Sequence, residues 1–276
     1  MSLIHVIILA FVQGVTEFLP ISSSAHLALA PWLLGWEDQG LAFDIALHFG
    51  TLLAVMVYFF RDWVQIILQG LGLRGGHDPE LKRNRALLWY LAVGSLPIGF
   101  FGLLLKEHAE TTLRNPVIIG SMLILIGIVM AIADRAGRHQ KTIEHVNLFD
   151  ALVIGLAQAL AIVPGTSRSG ITITAGLFRN FERAAAARFS FLLSTPAIVA
   201  AAAKAYYDLH KAGGIPPGML LPVLLGVIFS ALTGLATLAF FLEFLRHRTL
   251  KFFIYYRIIF GILVIALAVF LRKPGG

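Results

Sequence analysis

One polar stretch near the start of the chain combines residue types that can bind phosphate and move a proton. Residues 13–26 read QGVTEFLPISSSAH. His26 can exchange a proton near neutral pH, and Glu17 can hold a divalent cation or orient a base. Three consecutive serines can each act as a nucleophile or as a phosphate ligand: Ser22, Ser23 and Ser24.

A second stretch supplies the groups of a phosphate-binding turn. Residues 164–170 read PGTSRSG, and we expect a helix to begin at Ser169. The N–H groups at a helix N-terminus point towards an anion, and the guanidinium of Arg168 can bind phosphate through two parallel hydrogen bonds. Thr166, Ser167 and Ser169 can donate further hydrogen bonds. This stretch therefore predicts a phosphate site.

Each of these residues also has a structural alternative. A serine that precedes ALAPWLL is an ordinary helix N-cap, and His26 could be a hydrogen-bonded structural group. Glu17 could simply pair with Arg168. The apolar surroundings favour a functional role, because a charge at membrane depth is costly unless it is paired or hydrated.

The composition places these groups in a membrane protein. Of the 276 residues, 58% are hydrophobic and only 13% are charged, and the mean hydropathy is +0.83. The formal net charge of +7 would suggest nucleic-acid binding in a soluble protein, but here the basic residues lie between apolar segments. The chain has no cysteine, which excludes disulfides and thiolate chemistry.

Hydropathy predicts an all-α polytopic membrane protein with six transmembrane helices and two re-entrant helical hairpins. The hairpins are the apolar but interrupted segments 3–35 and 148–178, because breaks at membrane depth are tolerated only where they are buried or line a cavity. The six predicted spans are residues 41–60, 86–105, 116–133, 186–203, 219–243 and 252–271.

The order of elements predicts an internal repeat within a single membrane domain, 1–276. Repeat one would cover residues 1–140 and repeat two residues 141–276, each a hairpin followed by three spans. A shift of 144 residues aligns PISSSAH with PGTSRSG, and a shift of 146 aligns the spans that follow. Three spans per half is an odd number, so the two halves would have inverted topology.

The distribution of basic residues predicts the orientation. Of the 22 Lys and Arg residues, 14 lie in four loops: 61–85, 134–147, 179–188 and 244–251. These loops are expected in the cytoplasm, with both termini outside.

Arg168 and Arg257 remain at membrane depth. Arg257 is expected either to bridge the last span to a carbonyl or carboxylate, or to join the site. Asp44 and His48 share a helix face that could border the site, or Asp44 could be an ordinary residue at a helix start.

Residues 13–27, QGVTEFLPISSSAHL, and 164–172, PGTSRSGIT, resemble the two signature stretches of the bacterial undecaprenyl-diphosphate phosphatase family, the bacitracin-resistance proteins. The resemblance extends over essentially the whole chain. It implies a bacterial plasma (inner) membrane enzyme that removes the terminal phosphate of undecaprenyl diphosphate. This activity recycles the lipid carrier for peptidoglycan synthesis and confers bacitracin resistance. The active site is expected on the extracytoplasmic side.

The resemblance also implies roles for individual residues. The catalytic candidates are Glu17, Ser23, His26, Ser167 and Arg168. The phosphate-binding candidates are Ser22, Ser24, Thr166, Arg168 and Ser169. The expected cofactor is a divalent cation, Mg²⁺ or Ca²⁺, bound by Glu17 with Gln13 as a second candidate ligand.

Gln13 stands where some family members have glutamate, so much of the cation's binding would come from the diphosphate itself. The expected partners are a polyprenyl diphosphate and membrane lipids, with a homodimer left open and no nucleic acid. The attacking group, a serine or an activated water, is also left open.

Transport is the rival function, because inverted repeats with broken helices also describe secondary transporters. A lipid-carrier translocase would need the same phosphate site, but binding alone does not require His26 together with Glu17. A different phosphatase class is disfavoured, because its P-S-G-H motif is absent.

Overall fold

The fold is described from a computed structural model, which covers residues 2–36, 41–110, 113, 115–211, 213–215 and 217–271. Residue 1 and residues 272–276, at the two termini that are predicted to lie outside, are not among the described residues. Helices are the main secondary structure of the described residues, which contain no β-strand. The α-helices are α1 (Leu3–Phe18), α2 (Ser23–Leu34), α3 (Leu41–Tyr58), α4 (Phe60–Gly70), α5 (Pro79–Arg83), α6 (Leu87–Glu110), α7 (Pro116–Ala136), α8 (Leu148–Ala159), α9 (Arg168–Phe178), α10 (Arg183–Lys211), α11 (Leu220–His247) and α12 (Lys251–Leu271).

Hydropathy and length confirm a polytopic membrane protein. Among the described residues, five helices are long and apolar enough to cross a bilayer: α6, α7, α10, α11 and α12. These correspond to five of the six predicted spans. The remaining span, predicted at 41–60, is formed by α3, which meets the hydropathy test only together with α4.

Helix α4 was expected to be a loop, and it is an amphipathic helix bent by 68° from α3. Ile66 and Gln69 are buried on one side, while Phe60 and Ile67 are exposed on the other. A helix that is polar on one face and apolar on the other commonly lies along the membrane surface rather than across the membrane. The bend therefore ends the first span near Tyr58.

An ion-pair network attaches α4 and the segment that follows it to α10. The guanidinium of Arg188 lies 2.6 Å from Asp62 Oδ2 and 2.8 Å from Asp78 Oδ2. Burial raises the pKa of Asp78. The Arg188 charge and the hydrogen bonds from the N–H groups of Leu81 and Glu80 oppose this effect and exceed it, so the pKa of Asp78 lies below its usual value.

Both predicted hairpins form two short helices joined by a break. The arms contain 16 and 12 residues in α1 and α2, and 12 and 11 residues in α8 and α9. Each arm is shorter than the ~20 residues that a spanning helix needs. In each hairpin the two arms pack against each other. Helix α9 begins at Arg168, one residue before the expected start, because Ser167 is its N-cap.

Helices of the first half pack reciprocally against helices of the second half. Helix α1 packs on α11, and the corresponding arm α8 packs on α6. Likewise α3 contacts α11 while α10 contacts α6, and α7 pairs with α12. The α6–α8 crossing is so close that a Cβ on Gly155 would lie 2.1 Å from the Gly94 carbonyl oxygen. An internal repeat predicts such swapped pairs, and the inverted topology itself stays a prediction.

Candidate active site

The tips of the two hairpins meet in the centre of the helix bundle. The Ser169 hydroxyl donates a hydrogen bond to the Leu19 carbonyl oxygen, at 3.1 Å. Helix α2 begins at Ser23 and helix α9 begins at Arg168, so two helix N-termini lie at this junction. The first N–H groups of each helix have no acceptor within the helix and carry the positive end of its dipole. The junction is therefore suited to an anion.

Glu17, at the end of α1, connects the predicted site residues of both hairpins. Its Oε1 accepts from Arg168 Nη2 at 3.0 Å, and its Oε2 accepts from Ser23 Oγ at 2.6 Å. Gln13, one turn earlier on α1, donates its Nε2–H to Oε2 at 3.1 Å. The Glu17 side chain is only 6% exposed. The structure thus brings four of the candidates into direct contact.

The two tips have the same local design. Ser22 and Ser167 each precede a helix and have positive φ angles of 76° and 68°. The hydroxyl of Ser22 contacts that of Ser24 at 3.1 Å, and the hydroxyl of Ser167 contacts that of Ser169 at 3.2 Å. Ser22 and Ser167 are related by a shift of 145 residues, whereas the prolines before them are related by the shift of 144. The second tip therefore has one more residue between its proline and this serine than the first tip.

A positive φ is uncommon for serine and costs roughly 1–3 kcal/mol, so the surroundings must hold both turns. The guanidinium of Arg257, on α12, donates to the carbonyl oxygen of Pro20 at 2.9 Å in the first tip. It also donates to Gly165 at 2.8 Å and Thr166 at 2.9 Å in the second tip. Its Nε–H reaches the Leu123 carbonyl on α7 at 3.3 Å.

Arg257 is 0% exposed, and its four acceptors are all backbone carbonyl oxygens. Of the two sequence alternatives, the structure shows the bridge to carbonyls. The positive charge of this side chain lies beside both tips. With Arg168 and the two helix N-termini it outweighs the single carboxylate of Glu17, and the junction has a positive potential.

Two buried polar atoms at the junction have no hydrogen-bond partner among the described residues. They are Thr166 Oγ1 and Gln13 Oε1, and both side chains belong to residues that are 0% exposed. An unpaired buried polar group costs roughly 1–3 kcal/mol. Such atoms are expected where a ligand completes the hydrogen bonding, as the predicted phosphate role of Thr166 requires.

The residues at the junction fit a divalent cation only if the substrate supplies most of its ligands. Gln13 Oε1 and the Glu17 carboxylate are the oxygen ligands that Mg²⁺ and Ca²⁺ prefer. Among the described residues, no group of three or more His, Cys, Asp or Glu side chains could hold a metal. A cation that retains phosphate and water oxygens suits this donor set.

His26 is close to the first tip, and both of its ring nitrogens are hydrogen-bonded. Its Nδ1–H donates to the Ser22 carbonyl at 2.8 Å, and in the neutral ring Nε2 accepts from the Tyr256 hydroxyl at 2.7 Å. The ring stacks on Phe260, with 4.8 Å between centroids. None of its hydrogen bonds within the described residues reaches Glu17. Tyr256 lies 230 residues away in sequence, and no local pattern predicted this pair.

Helix α3 borders the site through Thr51. The Thr51 hydroxyl accepts from Gln13 Nε2 at 3.4 Å. His48, one turn earlier, donates its Nδ1–H to the Asp44 carbonyl at 2.8 Å. The face that carries Asp44 and His48 therefore continues into the site, but the contact is made by a threonine that the sequence analysis did not select.

A small cavity of about 10 Å³, roughly the space of one water molecule, lies beside the Glu17–Arg168 ion pair. Its polar wall also includes Ser169 and Ser194. The opposite wall is apolar and includes Phe191 of α10. Ser24, by contrast, is exposed, and its contact with Ser22 is its connection to the tip.

The fold is that of a polytopic membrane protein, and its candidate site lies where two helical hairpins meet. The family model "Bacitracin resistance protein BacA" matches residues 6–263, and the chain belongs to this family.

Curated relatives are similar over nearly the full length. An undecaprenyl-diphosphatase of Moorella thermoacetica is 46% identical over 96% of this chain and 98% of its own length. An undecaprenyl-diphosphatase of Trichlorobacter lovleyi is 47% identical over 97% of both chains. One from Pelotomaculum thermopropionicum is 44% identical over the same share. The family resemblance inferred from the two motifs is thereby confirmed.

Proposed function

We propose that this chain hydrolyses undecaprenyl diphosphate to undecaprenyl phosphate and inorganic phosphate. The name shared by the curated relatives supports this activity. The observation that carries it is the meeting of two helix N-termini, those of α2 and α9, beside Arg168 inside an apolar bundle. Release of the phosphate returns the lipid carrier to envelope synthesis and gives bacitracin resistance.

Positive charge at the junction stabilises the diphosphate in the transition state. Phosphoryl transfer depends mainly on positioning and on neutralising charge at the phosphate oxygens. Arg168 binds these oxygens with its guanidinium, and the N–H groups at the start of α9 and α2 donate further hydrogen bonds. Thr166 and Ser169 add their hydroxyls.

Ser23 is the serine best placed for the attack on phosphorus. Its hydroxyl already donates to Glu17 Oε2 at 2.6 Å, so that carboxylate can accept the proton as the new Oγ–P bond forms. The bond from the terminal phosphorus to the bridging oxygen breaks, and undecaprenyl phosphate leaves. Water then hydrolyses the phosphoserine. Ser167 is less suitable, because its Oγ already accepts the Gly170 N–H as a helix cap.

Direct attack by a water molecule is the alternative to Ser23. In that route the Glu17 carboxylate accepts the proton of the water, and no phosphoserine forms. Acid quenching during turnover of a substrate labelled at the terminal phosphorus separates the two routes, because only the serine route leaves label on the protein.

A divalent cation, when bound, neutralises part of the diphosphate charge. Glu17 and Gln13 would hold it together with phosphate oxygens. His26 is the proposed general acid or base, acting through Nε2, the atom that accepts from Tyr256. Its ring is held by the Ser22 carbonyl and by Phe260, so its orientation is fixed before substrate binds.

We further propose that the site opens to the extracytoplasmic side of the bacterial plasma membrane. The positive-inside distribution supports this orientation: 14 of the 22 Lys and Arg residues lie in the loops assigned to the cytoplasm. The polyprenyl tail would remain among the apolar helices, in contact with membrane lipids.

The function is tested with purified protein in detergent and a polyprenyl diphosphate. The expected result is cation-dependent release of inorganic phosphate. A translocase would give the opposite pair of results: no phosphate release in detergent, and movement of a labelled lipid diphosphate across reconstituted vesicles.

A further inference from the structure

A second group of buried polar side chains lies between α8, α9 and α10. The hydroxyls of Thr172 and Ser190 are hydrogen-bonded to each other at 2.5 Å. Ser194, one turn further along α10, lies 2.8 Å from the Ser190 carbonyl oxygen and 3.2 Å from Gln158 Oε1 on α8. All four residues are at most 5% exposed. The proposed mechanism leaves these residues without a role.

This polar group has an amide that is not fully hydrogen-bonded. Gln158 is 0% exposed, and its Nε2 has no partner among the described residues. The Ser194 hydroxyl has a single hydrogen, and the Ser190 carbonyl and the Gln158 amide both lie within its reach. Exchanging the positions of Oε1 and Nε2 would give Nε2 the Ser194 hydroxyl as an acceptor, but it would leave Oε1 without a partner. A buried amide with an unpaired end is destabilising, so its presence points to a ligand.

The group is continuous with the candidate active site. Ser194 lines the same small cavity as Glu17 and Arg168. In addition, the Thr172 hydroxyl donates to the carbonyl oxygen of Arg168 at 2.7 Å, which ties the group to the backbone of that residue. An oxygen atom in the cavity would therefore have the ion pair on one side and Ser194 on the other.

The internal repeat gives independent support. The shift of 145 residues that relates Ser22 to Ser167 also relates Gln13 to Gln158. Gln13 occupies the first arm of hairpin one and contacts Glu17 at 3.1 Å. Gln158 occupies the first arm of hairpin two and contacts Ser194. Each hairpin thus carries one buried glutamine on its first arm, and each glutamine has one amide atom without a partner among the described residues. Gln158 reaches the cavity beside Glu17 and Arg168 through Ser194, which lines it.

We propose that Gln158 and Ser194 form an additional subsite that binds a phosphate oxygen of the lipid diphosphate. This proposal rests on the proposed function, because it assigns a ligand within the same site. The Gln158 Nε2–H groups donate hydrogen bonds, which suits an anionic oxygen rather than a cation. The single hydrogen of the Ser194 hydroxyl would turn from the Ser190 carbonyl oxygen to the same phosphate oxygen. Phe191 and Ile198, which line the same cavity, keep competing water away.

The test compares Gln158→Met and Ser194→Ala with the parent protein. Methionine has a similar length but cannot donate to phosphate. Each change should lower kcat/KM for a polyprenyl diphosphate on the order of 10-fold, the scale of one charge-assisted hydrogen bond. Inorganic phosphate is the second probe, and its inhibition constant should rise by a similar factor. The double variant should lose less than the product of the two single losses, because the residues share one ligand.

Thr195→Val is the matched control. Thr195 is the next residue on α10 and is also buried, but its hydroxyl donates to the Phe191 carbonyl within its own helix. Its replacement should leave both kinetic constants and phosphate inhibition unchanged.

Unchanged kcat/KM and phosphate inhibition in the Gln158 and Ser194 variants would overturn the subsite. A loss of activity that follows reduced thermal stability, with phosphate inhibition as in the parent, would overturn it equally, because that pattern indicates a purely structural network. Both results differ from failure of the proposed function, in which the parent protein itself releases no phosphate.

Discussion

Replacing Arg257 by lysine tests whether one side chain positions both hairpin tips. The substitution keeps a positive charge between the tips, so the long-range potential of the junction changes little. It removes the planar fork that now donates to Pro20, Gly165 and Thr166. In the parent, Nη1 serves the first tip and Nη2 the second, whereas lysine has a single nitrogen and lacks the Nε–H that donates to Leu123.

The expected cost follows from the hydrogen bonds that are lost. A hydrogen bond to a charged group contributes about 1.5–3 kcal/mol, so losing two of the four lowers the free energy of unfolding by about 3–6 kcal/mol. The tips also carry Arg168 and Ser23, and displacing catalytic groups by about 1 Å can lower the rate about 10²-fold. We therefore expect kcat to fall about 10²-fold in Arg257→Lys, with a smaller change in KM.

The assay is phosphate release by purified variants, together with their Tm in detergent. Arg246→Lys is the control: its guanidinium contacts Glu243 on the surface and is 67% exposed, so activity should stay at the parental level. Parental kcat and Tm in Arg257→Lys would refute the positioning role.

Three further predictions concern the cation, the topology and the ion pairs of Arg188. Glu17→Gln should remove most activity, and added Mg²⁺ or Ca²⁺ should restore part of it; full parental activity in a chelator would exclude the cation. Reporters fused at Gly76 and Gly213 should lie on opposite sides of the membrane, and reporters on the same side would reject the inverted repeat. Asp78→Asn should lower Tm near neutral pH. Because the Asp78 pKa is lowered, the difference from the parent should disappear as acid protonates this carboxyl; a pH-independent difference would contradict its pairing with Arg188.

Hydropathy was sufficient to predict most of the helical organisation. Five of the six predicted spans are long apolar helices, since a bilayer of fixed thickness imposes a minimum length on a spanning helix. Proline and polar residues at 20–24 and 164–170 marked both breaks, because such residues interrupt a helix only where they are buried or line a cavity. Helix α4 was not predicted, because it is only 11 residues long and its apolar residues are interrupted by polar ones.

The motif residues were predictable because they lie close together in the sequence. Their hydrogen-bond partners from other helices were not predictable, because those residues are distant in the sequence. Gln13 and Glu17 share one helix face, and Ser23 follows within a single turn region. The Tyr256 hydroxyl reaches His26 across 230 residues. Arg257 was recognisable as a buried charge, but its acceptors are backbone carbonyls, which exist at every residue and leave no signal in the sequence.

The most direct measurement is phosphate release by Arg168→Lys. In the structure, Arg168 pairs with Glu17 at 3.0 Å, which also satisfies the structural alternative. A phosphate-binding arginine needs its planar fork, so lysine should lower kcat/KM on the order of 10²-fold or more while the protein still folds. Near-parental hydrolysis by Arg168→Lys, with poor accumulation of Arg168→Ala, would show a structural ion pair and contradict the phosphate site at the meeting of the two hairpins.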